Sequence, residues 1–65
     1  MEKVQLTLDG HPAGECDADV FELAKLYLAE GREQIDVVRE LKASGIGSPV
    51  TIVVNAKRAL ELEKE

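Results

Sequence analysis

Apolar and polar residues alternate at the start of the chain, in the segment EKVQLTLD (residues 2–9). Side chains of an extended chain point alternately to opposite faces, so alternation at this period predicts a β-strand with one buried face. The Asp9-Gly10 pair that follows is typical of a tight turn and ends the strand. The apolar positions of the predicted strand are Val4, Leu6 and Leu8.

The next stretch, HPAGEC (residues 11–16), fits two structures. It is either the short return strand of a hairpin or an ordered loop, and Pro12 and Gly14 would confine any strand here to a sheet edge.

Residues 17–31 have the apolar period of a helix that ends at Gly31. Asp19 and Glu22, three residues apart, predict a capping box at its start. Its apolar stripe is expected to contain Val20, Leu23, Ala24 and Tyr27, widened by Phe21 and Leu28.

Residues 32–45 predict a second helix with a narrower stripe, formed by Ile35, Val38 and Leu41 with Val37 beside it. Gly45, Gly47 and Pro49 then break the chain.

The segment PVTIVV (residues 49–54) is apolar and rich in β-branched residues, which predicts a central strand covered on both faces. The tail, NAKRALELEKE (55–65), has a helical composition but ends in an alternating pattern. We favour a hairpin loop and a last strand there, and the helix stays open as the alternative.

These elements define one α+β domain over residues 1–65: a small sheet of two to four strands with two helices packed on one face, in the order β(β)ααβ(β). A chain of 65 residues buries a modest core, and an edge strand in so small a sheet favours pairing with a second copy. The sequence therefore predicts a homodimer.

The composition of the chain disfavours several classes of function. The formal net charge of −5 disfavours nucleic acid as a partner, because affinity for phosphates comes largely from Lys and Arg. No apolar run approaches the roughly 20 residues that a membrane span needs, and no signal-peptide pattern opens the chain. One cysteine excludes an internal disulfide. We therefore expect a cytoplasmic protein without a membrane association.

Cys16 and His11 are the residues best suited to chemistry. Cys16 precedes a predicted helix N-terminus, where a thiol pKa can be lowered, and His11 lies five residues away as a candidate base. The carboxylates around Cys16 oppose thiolate formation. One Cys and one His also match no standard metal site. We predict no catalytic residues, no metal and no cofactor.

Two stretches resemble known families. The strand and two helices over residues 2–44 resemble ribbon-helix-helix repressors. That resemblance implies a dimer whose outward strand residues, here Lys3, Gln5 and Thr7, read the DNA major groove. Separately, SPVTIVVNAKR (residues 48–58) resembles the Pro-strand-turn-strand of thioredoxin-like domains, with Pro49 in the place of their proline.

The sequence favours a non-enzymatic protein-interaction module, a small acidic regulator or assembly factor. Its predicted binding surface is formed by Glu30, Glu33, Asp36 and Glu40 and takes a basic partner. Three alternatives stay open: a thiol-dependent or metal-assisted enzyme using Cys16 and His11, a ribbon-helix-helix-like DNA-binding dimer, and a designed chain without a biological function.

Overall fold

The computed structural model describes residues 2–63. The α+β class predicted from the sequence is confirmed, with a two-stranded antiparallel sheet and three helices. In chain order the elements are β1 (Lys3–Leu8), β2 (His11–Asp17), α1 (Ala18–Ala29), α2 (Gln34–Ala43) and α3 (Pro49–Glu63).

The first two strands form a hairpin closed by Asp9 and Gly10. Both residues have positive φ angles, 53° and 80°, as a two-residue turn that matches the twist of the strands requires. HPAGEC is therefore the return strand rather than a loop. Leu6 lies opposite Gly14 and Thr7 lies opposite Pro12, so one extra residue on β2 forms a bulge between the two pairs.

The segment PVTIVV is not a strand, which corrects the sequence prediction: it forms the first part of α3. The predicted hairpin in the tail is also wrong up to residue 63, and residues 64 and 65 lie outside the described residues. A strand covered on both faces needs a packed layer on each side, and one hairpin with two helices cannot supply both. The resemblance of residues 48–58 to thioredoxin-like domains fails with it, because that resemblance required a strand.

Burial explains why α3 is helical despite its β-branched residues. Ile52, Val53 and Ala56 are almost completely buried, and their spacing of one and four residues places them on one side of a helix. Packing that side against α1 and α2 outweighs the modest strand preference of valine and isoleucine. Among residues 2–63 the buried core cluster consists of Leu6, Ala24, Val37, Leu41, Ile52, Val53 and Ala56.

The apolar stripes of α1 and α2 differ in detail from the prediction. Ala24 is buried as expected, but Leu23 beside it is 38% exposed. On α2 the buried pair is Val37 and Leu41, while Ile35 is 55% exposed. Residues four apart lie above one another on a helix, so Val37 and Leu41 define the packed side and Ile35 falls outside it.

The predicted capping box at α1 does not form. The N-cap is Asp17, two residues before Asp19, and its side chain makes no capping hydrogen bond. The Asp17 carboxylate instead accepts a hydrogen bond from Lys3 Nζ across the hairpin. The C-terminal end of α1 follows the prediction, since Gly31 adopts a φ of 96° just after the helix.

Candidate functional site

The hairpin separates the two residues that were considered for chemistry. His11 is the first residue of β2 and pairs with Leu8 beside the turn, whereas Cys16 pairs with Val4 near the other end of the strand. Five residues of extended chain span roughly 16 Å. His11 is therefore too far away to act as a base toward the Cys16 sulfur.

Cys16 lies on the inner face of the hairpin, partly buried against the core. Burial raises the pKa of the Cys16 thiol, and the neighbouring Asp17 carboxylate raises it further, while Lys3 opposes both effects. The neutral thiol is the form present at physiological pH, and this form is a poor nucleophile.

An open groove of about 490 Å³ runs beside Cys16. Its walls are the inner face of the hairpin and the α2–α3 loop, which contains the GIGS sequence (residues 45–48). The apolar side chains that line it are Leu6, Ala13, Cys16, Val20, Ile46 and Ile52. Across residues 2–63 there is no cluster of three or more His, Cys, Asp or Glu suited to a metal ion.

The outward face of β1 is occupied by contacts within the chain. Lys3 pairs with Asp17, and Gln5 Nε2 donates to Glu15 Oε2 at 3.0 Å. Thr7 contacts Asn55 of α3. In a ribbon-helix-helix protein these three β1 positions would face DNA and the strand would pair with a second copy, whereas here β1 pairs with β2 of the same chain.

Asn55 is a structural residue that the sequence did not reveal. Its Nδ2 donates to the Thr7 carbonyl at 2.9 Å, and its Oδ1 accepts from the Thr7 backbone N–H at 3.0 Å. The backbone N–H and C=O groups of Thr7 therefore point away from β2, at the outer edge of β1. The amide satisfies that edge at its turn end, at the next-to-last residue of β1, and obstructs the addition of another strand there. The signal available in the sequence was that the one Asn of the chain directly follows an apolar run.

The predicted acidic surface is exposed, and most of it lies on α2. Glu33 is the N-cap of this helix, Asp36 lies in its first turn, and Glu40 follows one turn later on the same side. Within the described part of the chain these three carboxylates form no ion pair. Glu30 caps the end of α1 and lies 3.9 Å from the Arg32 Nε.

A second groove, of about 440 Å³, borders this surface. Leu28 of α1 and Leu60 of α3 contribute its apolar side chains. Charges of both signs line it, from Arg32, Glu33, Lys57 and Glu61. The Arg32 guanidinium also lies over the Tyr27 ring, 4.4 Å from its centroid, which restrains this side chain.

Large apolar side chains are also exposed outside the grooves. Those that are at least 38% exposed are Leu8, Leu23, Leu26, Ile35, Val50, Val54 and Leu62. Two of them lie on α1 and three on α3, on the sides of these helices that face away from the core. Sequence reasoning assigned Leu23 and Ile35 to buried stripes and placed Val50 and Val54 in a covered strand, so this exposure was not predicted.

The hairpin, the three helices and these surfaces define a small α+β domain with exposed helix faces. No protein-family model, no curated protein and no solved structure matches the chain. Within residues 2–63 no helix is long and apolar enough to span a membrane.

Proposed function

We propose that this chain is a non-enzymatic protein-binding module. The observation that carries the proposal is that five of the seven exposed large apolar side chains among the described residues group on two helices, α1 and α3. Exposed apolar residues that group on one surface are typical of sites where another macromolecule docks. Three of the seven lie along a single helix, α3, within 13 residues.

The environment of Cys16 supports binding over thiol chemistry. A catalytic cysteine needs a lowered pKa and a nearby base. Here burial raises the pKa of the thiol, and His11 lies at the opposite end of β2.

A basic protein segment is the partner proposed for the acidic surface. Glu33, Asp36 and Glu40 present three carboxylates on one side of α2, and none of them forms an ion pair with a cation among the described residues. Complementary charge increases the rate of encounter and selects partners of opposite sign.

The role proposed for this binding module is that of a regulator or assembly factor in the cytoplasm. Its support is the unpaired thiol of Cys16, which suits a reducing compartment, together with the small size of the domain.

The experiment is an affinity capture from the cells that produce the protein, with immobilised wild type and a Glu33→Arg/Asp36→Arg variant. We expect a discrete partner to be retained by the wild type and lost from the variant. The matched control is Glu2→Arg/Glu15→Arg, which changes the net charge equally at exposed positions of the hairpin segment, outside the acidic surface and the groove that borders it. Equal loss from both variants, or unchanged capture by the first, would reject this surface.

A further inference from the structure

One face of α3 combines apolar and basic residues. Val50, Val54 and Leu62 are 59%, 40% and 64% exposed and lie in the same row, because residues four apart align along a helix. Arg58 occupies the remaining position of that row, and Lys57 is beside it; both are exposed. Glu61 is also exposed on this side of the helix, so the two cations and one carboxylate leave this side with a net positive charge. We call these six residues the α3 outer face.

One face of α1 combines apolar and acidic residues. Leu23 and Leu26 are 38% and 55% exposed, and Asp19 and Glu22 lie on the same side of the helix. The side chain of Glu22 is 70% exposed, with only a distant pairing to Lys25 at 4.0 Å. We call these four residues the α1 outer face.

The two faces complement each other in both hydrophobicity and charge. Each presents large apolar side chains, and the carboxylates of one match the cations of the other. Each face points away from the side of its helix that packs in the core, where α1 and α3 contact each other. The two faces therefore cannot meet within one molecule, but they can meet between two copies.

We propose that the α1 outer face of one copy packs on the α3 outer face of a second copy. This names a partner for the protein-binding function proposed above and rests on it, although it uses a different surface from the acidic side of α2. It differs from the sheet-edge pairing expected from the sequence, and Asn55 already occupies the turn end of the β1 edge.

Such a contact is heterologous, because the two faces point away from each other and one pair of copies cannot engage both at once. Each added copy leaves one α1 outer face and one α3 outer face free, so association continues into rings or open chains rather than stopping at a dimer. One helix face is smaller than a standard protein interface, and the association is accordingly weak and depends on concentration.

The experiment compares three single variants by sedimentation velocity over a dilution series that reaches millimolar protein. Leu26→Asp disables the α1 outer face, and Val54→Asp disables the α3 outer face. Ile35→Asp is the matched control, because Ile35 is 55% exposed, as Leu26 is, and lies on α2 outside both faces. Far-UV circular dichroism checks that each variant is folded, and Arg58→Glu replaces Val54→Asp if that variant is not.

We expect the mean mass of wild type and Ile35→Asp to rise with concentration beyond the dimer. Each single-face variant alone should stay monomeric, with association weakened about tenfold or more, as expected from the loss of one buried leucine or valine contact. An equimolar mixture of the two should form a complex of one copy each, because each retains the face that the other lacks.

A wild type that stays monomeric at every concentration would overturn the proposal, as would a closed dimer that grows no further. So would single-face variants that fail to combine while the wild type assembles. None of these results affects capture through Glu33 and Asp36, so failure here is distinguishable from failure of the proposed function.

Discussion

Asn55 joins α3 to β1 through a single amide. It donates to the Thr7 carbonyl and accepts from the Thr7 N–H, and it also donates to the Thr51 carbonyl of its own helix at 2.7 Å. A net hydrogen bond contributes about 0.5–1.5 kcal/mol to stability. This side chain therefore fixes how the hairpin sits on the helices.

We expect Asn55→Ala to lower the free energy of unfolding by about 1 kcal/mol, because two interelement hydrogen bonds are lost while alanine adds about 0.5 kcal/mol of helix propensity. Urea unfolding measures the change. The exposed Lys57→Ala on the same helix serves as control and should stay within about 0.5 kcal/mol of wild type. A loss no greater than that of the control would show that the amide does not support the hairpin.

The pKa of Cys16 predicts a pH dependence of stability. Burial, and then Asp17, raises this pKa above its ordinary value of 9.0, so folding favours the protonated thiol. The resulting contribution is complete below pH 9.0 and is lost as the pH rises through the raised value. The pKa values of Lys3 and Lys25 are also raised, from an ordinary value of 10.5. These two lysines therefore reduce stability only above pH 10.5 and do not contribute to the decline at lower pH.

Thermal unfolding between pH 8 and about 10.5 checks this. The stability of wild type should fall relative to that of Cys16→Ala over this interval. Parallel pH profiles would contradict a partly buried, protonated thiol and would reopen the thiol-dependent alternative.

At the residue scale, the sequence predicted which side chains of β1 point outward but not what they touch. Alternation alone places Lys3, Gln5 and Thr7 on one face. Their partners depend on the register with β2, which a bulge shifts, and on α3, whose first part the sequence predicts as a strand. The resemblance to ribbon-helix-helix proteins does not extend to the pairing of β1, which here pairs with β2 of the same chain.

At the scale of elements, the docking of β1 rests on Leu6. Leu6 is 2% exposed, whereas Leu8 on the same predicted face is 48% exposed. We expect Leu6→Ala to cost about 2–5 kcal/mol, since it leaves a cavity in the core, and Leu8→Ala to cost about 1 kcal/mol or less. Chemical denaturation of the two variants makes the comparison, and similar losses would mean that the hairpin sits differently on the helices.

The elements show where sequence reasoning succeeds. The ranges of α1 and α2 follow from a clear helical period and from the glycines that end them. In α3 two signals disagree: β-branched residues favour a strand, while Ile52, Val53, Ala56 and Leu60 repeat at a helical spacing. The segment forms a helix because the helical spacing places these residues on the one side of α3 that packs in the core.

At the scale of the whole molecule, the net charge of −5 opposes any association of copies, while the basic α3 outer face and the acidic α1 outer face attract each other locally. Salt separates these effects, because the screening length falls from about 30 Å at 0.01 M to about 10 Å at 0.1 M and about 3 Å at 1 M. Long-range repulsion between whole molecules is screened first, and the short-range attraction between contacting faces only later.

We therefore expect the mean mass of the wild type to rise as sodium chloride increases to about 0.1 M and to fall again toward about 1 M. Light scattering at fixed protein concentration follows both changes. A Lys57→Gln/Arg58→Gln variant keeps the apolar row but loses its cations, so its mass should be lower near 0.1 M and should lack the decline at high salt. If the wild type instead gained mass steadily up to about 1 M, apolar contact alone would hold the copies together, and the charges of the two faces would have no part in selecting the partner.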